Sequence, residues 1–122
     1  MDTFETMREE AEVALQDLLA ARPALVAAVD AATRQAFDAA TQFENFCLRV
    51  ARGTRHGTDK ITPAVARLLD QARRARDAAA GELTRAKRLL QNQDWQIALR
   101  RDEIRQLELV AQSARRGAGS AL

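Results

Sequence analysis

An unbroken heptad pattern in the second half of the sequence constrains the fold more than any other feature. From Leu69 to Ala114, mostly apolar side chains recur in alternating steps of three and four. The row consists of Leu69, Ala72, Arg76, Ala79, Leu83, Ala86, Leu90, Gln93, Ile97, Arg100, Ile104, Leu107, Ala111 and Ala114. This spacing is typical of α-helices that pack as coiled coils. We therefore expect a long helix with one continuous contact face.

The composition supports an all-α fold. Of the 122 residues, 26 are alanine, whereas glycine and proline together number seven and aromatic residues make up 4%. Alanine and the abundant arginine, leucine, glutamine and glutamate all favour helix. A β-sandwich or barrel would need more aromatic and β-branched residues and frequent turns. Disorder is disfavoured because the hydrophobic fraction of 47% is ordinary and helix-breaking residues are scarce.

Three helical segments are predicted, at about residues 3–22, 23–52 and 63–116. Pro23 separates the first two, because a proline disfavours helix at the preceding residue and can open a new helix. The expected contact row of the second segment consists of Val26, Val29, Thr33, Ala36, Ala40, Phe43, Cys47 and Val50. The heptad phase of the first segment does not continue across Pro23 into this row. Both observations indicate a kink or a tight corner at this proline.

One loop is predicted between the second and third segments. Gly53 is placed to end the second helix, and Thr62 with Pro63 supplies an N-cap followed by a proline at the first helical position. The arms on either side have similar lengths, which predicts a long antiparallel coiled-coil hairpin with a kinked first arm. Residues 1–116 form one helical-hairpin domain and residues 117–122 a flexible C-terminal tail. The register between the two arms stays open. Facing residues whose numbers add up to 119 and facing residues whose numbers add up to 112 both give regular layers of contact-row side chains.

The net charges of the two arms and the width of the apolar face both indicate how the chain assembles. Residues 1–52 carry a net charge of −4 and residues 62–116 a net charge of +5, so the two arms attract each other. Apolar side chains also flank the contact row of the second segment, which makes its apolar face wider than a two-stranded seam requires. These flanking residues are Leu25, Ala32, Ala39 and Phe46, with Phe37 on the other flank. A second copy of the chain would cover them, so we predict a homodimeric helical bundle.

The residues needed for catalysis or metal binding are scarce. His56 is the only histidine, Ser113 and Ser120 are the only serines, and tyrosine is absent. A catalytic triad would have to join the loop to the C-terminal end of the chain. Cys47 lies on the predicted contact row, where a small buried hydrophobe is expected rather than a reactive thiol. One cysteine and one histidine cannot form an ordinary zinc site. We therefore expect no enzyme, no metal and no cofactor.

Two groups of residues are candidates for binding a protein partner. Trp95 lies on the helix face opposite the contact row and Leu99 lies one turn further on, which makes both candidate apolar anchors unless they pack within the assembly. The other candidate anchors are Phe37 and Phe46. The basic loop could contact an acidic surface or phosphate, although a solvated turn is the simpler interpretation. Its residues are Arg52, Arg55, His56 and Lys60.

A noncatalytic protein–protein interaction module is the function that this pattern favours. The alternative is a nucleic-acid-binding helical protein that uses the arginine-rich third segment and the basic loop, although no aromatic residues interleave with those arginines. In shape, such a hairpin resembles the coiled-coil stalk and chaperone components of bacterial secretion and flagellar export machines, and small coiled-coil adaptors. The resemblance concerns architecture alone and implies an adaptor, chaperone or stalk-like role.

The sequence predicts a cytoplasmic location without a membrane span. The longest apolar run, from Pro23 to Val29, is far too short to cross a bilayer. The first residues lack the basic and apolar regions of a signal peptide. A single cysteine permits no internal disulfide, which fits a reducing compartment.

Overall fold

Two long helices make up nearly all of the described chain. The computed structural model describes residues 3–55 and 61–120, in which α1 spans Thr3–Arg55 and α2 spans Pro63–Ser120. No strand occurs in these two ranges, so the predicted all-α fold is confirmed. Neither helix contains a stretch long and apolar enough to cross a membrane.

The first arm is one helix, and its predicted division at Pro23 is not confirmed. Pro23 lies inside α1, a helix of 53 residues. A proline in a helix interior removes one backbone hydrogen bond and costs roughly 3 kcal/mol. Most of the stability of a helix in a protein comes from the packing of its apolar face, and that packing offsets the local cost. Residues 3–55 and 61–120 therefore contain two long helices instead of the three predicted.

The buried face of α1 explains why the helix continues through the proline. Its residues keep the same alternating spacing on both sides of Pro23. They include Leu18, Arg22, Leu25, Val29 and Ala32. The contact row predicted from the sequence contained Thr33 and Ala40, which are exposed, whereas Ala32 is buried and Ala39 half-buried. The other six residues of that row are half-buried, so the prediction was wrong at these two positions. With Ala32 and Ala39 in their place, the spacing continues through the proline without a change of phase.

The first arm also runs further than predicted at its other end. α1 continues through Gly53 to Arg55, so the prediction that Gly53 ends the helix is wrong. One residue further on, the Thr54 hydroxyl donates a hydrogen bond to the carbonyl oxygen of Val50 at 2.9 Å. This bond returns to the preceding turn and satisfies the hydroxyl without interrupting the helix.

The start of α2 agrees with the prediction. Thr62 is its N-cap, because the Thr62 hydroxyl oxygen accepts a hydrogen bond from the backbone N–H of Val65 at 3.2 Å. The helix then begins at Pro63 and ends at Ser120, four residues beyond the predicted end. A flexible tail over residues 117–122 stays a prediction.

The described chain divides into two compact units, each containing a segment of both helices. The terminal unit comprises Met1–Leu25 and Leu89–Leu122, and the central unit comprises Val26–Arg88. In the terminal unit the two segments are antiparallel, because residues near the start of α1 line the same depression as residues near the end of α2. That depression is lined by Phe4, Glu5, Arg8, Leu107, Ala111, Ala114 and Arg115.

A cation–π contact fixes the pairing in the central unit. The guanidinium carbon of Arg76 on α2 lies 4.4 Å from the ring centroid of Phe43 on α1. The positions 43 and 76 sum to 119, so the first of the two predicted registers applies here and the alternative of 112 does not. The predicted contact row of α2 is buried or half-buried from Leu69 to Ile97.

Four arginines of α2 in the central unit form ion pairs within their own helix, namely Arg73, Arg74, Arg76 and Arg85. Arg73 and Arg74 both bind Asp70, and Arg85 binds Glu82 at 2.8 Å. Such pairs one turn apart contribute only about 0.2–0.5 kcal/mol each. The expectation that the basic arm pairs broadly with the acidic arm is therefore not supported in this unit, because these arginines take their carboxylates from α2.

Candidate protein-interaction site

Many large apolar side chains in the described chain are left exposed, and few are fully removed from solvent. The buried hydrophobic residues are Ala11, Ala32 and Ile97, and no large side chain is fully buried. Twelve large hydrophobic residues are exposed in the same ranges. They are Phe4, Met7, Val13, Phe37, Leu48, Ile61, Leu68, Leu89, Trp95, Leu99, Leu109 and Val110. Exposed apolar side chains that lie together, such as Trp95 and Leu99 one turn apart on α2, are candidates for an interaction site.

An open groove runs between the two helix segments of the terminal unit. It is lined by Ala14, Asp17, Leu18 and Ala21 from α1 and by Gln96, Leu99, Arg100 and Glu103 from α2. Ala14 and Ala21 are seven residues apart, two turns along one face of α1, and Leu18 lies between them. Small residues at a helix surface allow another helix to approach closely. We name this feature the terminal groove.

Charge is distributed unequally along the terminal groove. On the α2 side, Arg100 donates a hydrogen bond to Glu103 at 2.9 Å, so these two charges satisfy each other. On the α1 side, Asp17 forms no hydrogen bond or ion pair with any residue of the described ranges. The groove therefore presents one free carboxylate beside an apolar floor.

The opposite edge of the terminal unit carries an ion pair between the helices. The Arg22 Nε donates to Asp94 Oδ1 at 2.8 Å, and Arg22 Nη2 lies 3.5 Å from Asp94 Oδ2. This hydrogen bond and the arginine charge lower the pKa of the Asp94 carboxyl below its ordinary value. Leu19, Ala98 and Arg101 lie around the pair. One edge thus has an ion pair between the helices, whereas no such pair joins the lining residues of the terminal groove.

The predicted apolar anchors differ in exposure. Trp95 is 64% exposed and Leu99 is 50% exposed, one turn apart on α2 in the terminal unit. Phe37 is 71% exposed on α1 in the central unit. Phe46 is half-buried, with the guanidinium carbon of Arg49 at 5.7 Å from its ring centroid. Of the four, only Leu99 lines the terminal groove.

The predicted basic loop can be described only in part. Arg52 is exposed near the end of α1. His56 and Lys60 lie outside the described residues, and so does the side chain of Arg55. Whether these four residues act together stays a prediction.

Two residues of α2, Gln93 and Gly81, have surroundings that the structure alone reveals. Gln93 is 8% exposed, and its Oε1 has no hydrogen-bond partner among the described residues. Gly81 lies in mid-helix, and a Cβ added there would meet no described atom within 4 Å. The heptad pattern showed Gln93 as a polar residue within the apolar contact row. The sequence could not show that its Oε1 lacks a hydrogen-bond partner, or that the space beside Gly81 is empty of described atoms.

The described residues offer little for catalytic or metal chemistry. Across residues 3–55 and 61–120, no group of three or more histidine, cysteine, aspartate or glutamate residues could hold a metal ion. Cys47 is a free, half-buried cysteine. Comparison of the chain with protein-family models, with curated proteins and with solved structures finds no match. The fold itself defines the class, an all-α hairpin of two long helices.

Proposed function

We propose that this chain is a noncatalytic protein–protein interaction module of the adaptor, chaperone or stalk type. In this proposal the chain assembles as a homodimer, and a helix of a protein partner binds in the terminal groove. The single observation that carries the proposal is the imbalance between a minimal core and twelve exposed large hydrophobic residues. Covering such surface with another helix gains roughly 25 cal/mol per Å² of apolar area.

The number of neighbours that each helix segment has supports the same proposal. Two helices by themselves cannot enclose the side chains on their outer faces, because each helix has only one neighbour. Additional helices, from a second copy or from a partner, would supply the missing neighbours.

The lining of the terminal groove supports one kind of partner. Its floor of Ala14, Leu18 and Ala21 suits a helix whose apolar residues recur at steps of three, four and seven. The carboxylate of Asp17 suits a lysine or arginine on the edge of that helix. We therefore expect an amphipathic partner helix with a basic flank. A cytoplasmic location belongs to this proposal and is supported by the single cysteine.

A pair of neighbouring alanines offers a matched test. Ala21 lines the terminal groove, whereas the adjacent Ala20 is exposed but does not line it. We expect the Ala21→Glu variant to lose the proteins that the wild-type chain captures from its native cell extract, because a carboxylate would be buried against an apolar helix. The Ala20→Glu variant introduces the same charge and should capture them normally.

Two controls complete this experiment. Circular dichroism must show equal helicity for both variants, so that loss of capture cannot come from unfolding. The Asp17→Asn variant should weaken capture of the same proteins and reduce its dependence on salt. If the Ala21→Glu and Ala20→Glu variants capture identical sets of proteins, the proposed groove function is wrong.

Nucleic-acid binding is the second candidate, favoured by the charge of the central unit. That unit contains twelve basic and seven acidic residues, a net charge of +5. Arg67, Lys87 and Arg88 have no carboxylate within ion-pair distance among the described residues. Binding of a mixed-sequence DNA or RNA duplex that survives 200 mM salt, about the level at which weak phosphate contacts are lost, would favour this candidate over protein binding.

A further inference from the structure

We propose that the helix bound in the terminal groove carries two basic side chains seven residues apart, which pair with Glu10 and Asp17 on α1. Its opposite edge carries an uncharged, apolar side chain that covers Leu99 on α2. This arrangement rests on the proposed partner binding and specifies the chemistry of the partner. It commits the terminal groove to one occupant, a basic amphipathic helix of another protein.

The lining of the terminal groove has the pattern that receives a helix. On α1 the lining residues occupy positions i, i+3, i+4 and i+7, and the lining residues of α2 repeat the same spacing. Four residues in this pattern form the hole that accepts one side chain of a neighbouring helix in a coiled coil. They are Ala14, Asp17, Leu18 and Ala21 on α1, and Gln96, Leu99, Arg100 and Glu103 on α2.

Two unpaired carboxylates lie in one row along α1. Asp17 lines the terminal groove, and Glu10 lies seven residues before it, a step that keeps residues on one face of a helix. Both residues are exposed, and neither forms a hydrogen bond or an ion pair with another residue of the described ranges. They are about 10 Å apart along the helix axis. Basic side chains with the same spacing on a neighbouring helix would meet both carboxylates.

The nearby arginines of this chain are bound to other carboxylates. Arg100, which lines the α2 side of the groove, binds Glu103 at 2.9 Å. Arg8, two residues before Glu10, binds Glu12 at 3.1 Å. A cation that pairs with the carboxylates of the α1 row is therefore expected from a partner.

The acidic charge of the terminal unit belongs to its α1 segment. Residues 1–25 include six acidic and two basic residues, a net charge of −4, whereas residues 89–122 include four acidic and five basic residues, a net charge of +1. A cationic helix is therefore attracted to the α1 side of the groove more than to the α2 side. Charge complementarity of this kind accelerates association and selects the partner and its orientation.

The row of α2 that contains Leu99 is uncharged. Asn92 and Gln106 lie seven residues before and after Leu99, and all three are exposed. Trp95, one turn before Leu99, adds a second exposed apolar side chain. A charged side chain over Leu99 would lose water without gaining a partner, whereas an apolar side chain gains from burial. The two sides of the groove therefore favour opposite chemistry on the two edges of the bound helix.

A library of displayed helices tests the charge pattern. Each helix has about 28 residues, or four heptads, with leucine or alanine in its apolar row. Both edges of that row vary among lysine, glutamate, glutamine and leucine. Helices are selected on the full-length chain, and those that also bind the Ala21→Glu chain are discarded. We expect lysine to be enriched over glutamate about tenfold at two positions seven apart on one edge, since the carboxylates attract lysine and repel glutamate. The other edge should carry leucine or glutamine.

Matched substitutions identify the carboxylates. The Glu10→Gln and Asp17→Asn chains should each bind a selected helix up to about fivefold more weakly, and the loss should shrink in high salt. Glu9→Gln removes the same charge from an adjacent exposed position outside the row, so it should change binding by less than about twofold. The Ala24→Glu chain adds a carboxylate seven residues after Asp17, and helices selected on it should gain a third lysine.

The outcomes that overturn this arrangement are distinct. Selected helices that lack the basic pair, or that carry lysine on both edges, show that the groove takes a helix of other chemistry and leave groove binding intact. Equal binding by the Glu9→Gln, Glu10→Gln and Asp17→Asn chains has the same meaning. If no helix is selected, the arrangement is wrong, and the capture test with Ala21→Glu decides the proposed function separately. If sedimentation equilibrium shows that Ala21→Glu dissociates a dimer of the chain alone, a second copy occupies the groove instead.

Discussion

Arg22 and Asp94, 72 positions apart in the sequence, form the ion pair that joins α1 to α2 among the described residues of the terminal unit. Arg22 Nε lies 2.8 Å from Asp94 Oδ1, and both side chains remain a little under half exposed. The pair occupies the edge of the seam opposite the terminal groove. This unit therefore has an ion pair between its helices at one edge and the terminal groove at the other.

The Asp94→Asn variant should lose stability in a pH-dependent way. The bond to Arg22 lowers the folded-state pKa of Asp94 below its ordinary value of 3.8. The ionised carboxylate therefore stabilises the folded chain fully above pH 3.8, and this contribution is lost as pH falls through the lowered pKa. Urea unfolding at neutral pH should show a less stable variant, and the difference should vanish in strong acid. In an Arg22→Gln background the same substitution should have no effect; an equal loss there would contradict the assignment.

The Pro23→Ala variant should be more stable than the wild-type chain, by up to about 3 kcal/mol. The reason is that α1 continues through this residue, where alanine restores a backbone hydrogen bond. Pro63→Ala is the control, because Pro63 is the first residue of α2, a position that tolerates proline. Its unfolding free energy should change by less than about 0.5 kcal/mol. Equal small effects at both sites would indicate a helix break at Pro23.

Replacing the buried amide of Gln93 should stabilise the chain. Its Oε1 is buried without a partner among the described residues, and a buried unsatisfied acceptor costs about 1–3 kcal/mol. We expect the Gln93→Leu variant to gain stability in that range in urea unfolding. Gln91 lies two residues earlier on the same helix and is exposed. The matched Gln91→Leu substitution should therefore be nearly neutral. Destabilisation by Gln93→Leu would show that its amide makes a bond essential to the fold.

The sequence predicted those parts of the fold that depend on local signals. Thr62 and Pro63 marked the start of α2 because capping and proline geometry act within one turn. The end of α1 was missed at Gly53, because a glycine stops a helix only when no packing continues beyond it. Pro23 misled for the same reason. A local cost of a few kcal/mol was outweighed by contacts along a helix of 53 residues, which local rules do not count.

The candidate site was predicted less well than the fold. Trp95 and Leu99 stood out because large apolar residues away from a contact row are conspicuous. The floor of the terminal groove did not, since Ala14 and Ala21 are two of 26 alanines and nothing local distinguishes them. Alanine takes part in a site through the space it leaves beside other side chains. That space exists only once two distant segments have packed together.

The contact between Phe43 and Arg76 should be worth measurable coupling energy in the central unit. The guanidinium carbon lies 4.4 Å from the ring centroid, and a cation–π pair contributes about 0.5–1 kcal/mol when exposed and more when water is excluded. A double-mutant cycle with Phe43→Leu and Arg76→Met isolates this pair, because the neighbouring Asp77, which also binds Arg76, is present in all four proteins. We expect a coupling of about 0.5–1 kcal/mol from urea unfolding.

The Phe46 and Arg49 pair provides the comparison for that cycle. Its guanidinium carbon lies 5.7 Å from the ring centroid, and both residues belong to α1. The equivalent cycle with Phe46→Leu and Arg49→Met should give a smaller coupling energy, because its cation lies further from the ring. This pair also lies within one helix and makes no contact between α1 and α2. Since Phe43 and Arg76 lie on different helices, their coupling reports the 119 register directly. Zero coupling at Phe43 and Arg76 would mean that this register is not the one adopted in solution.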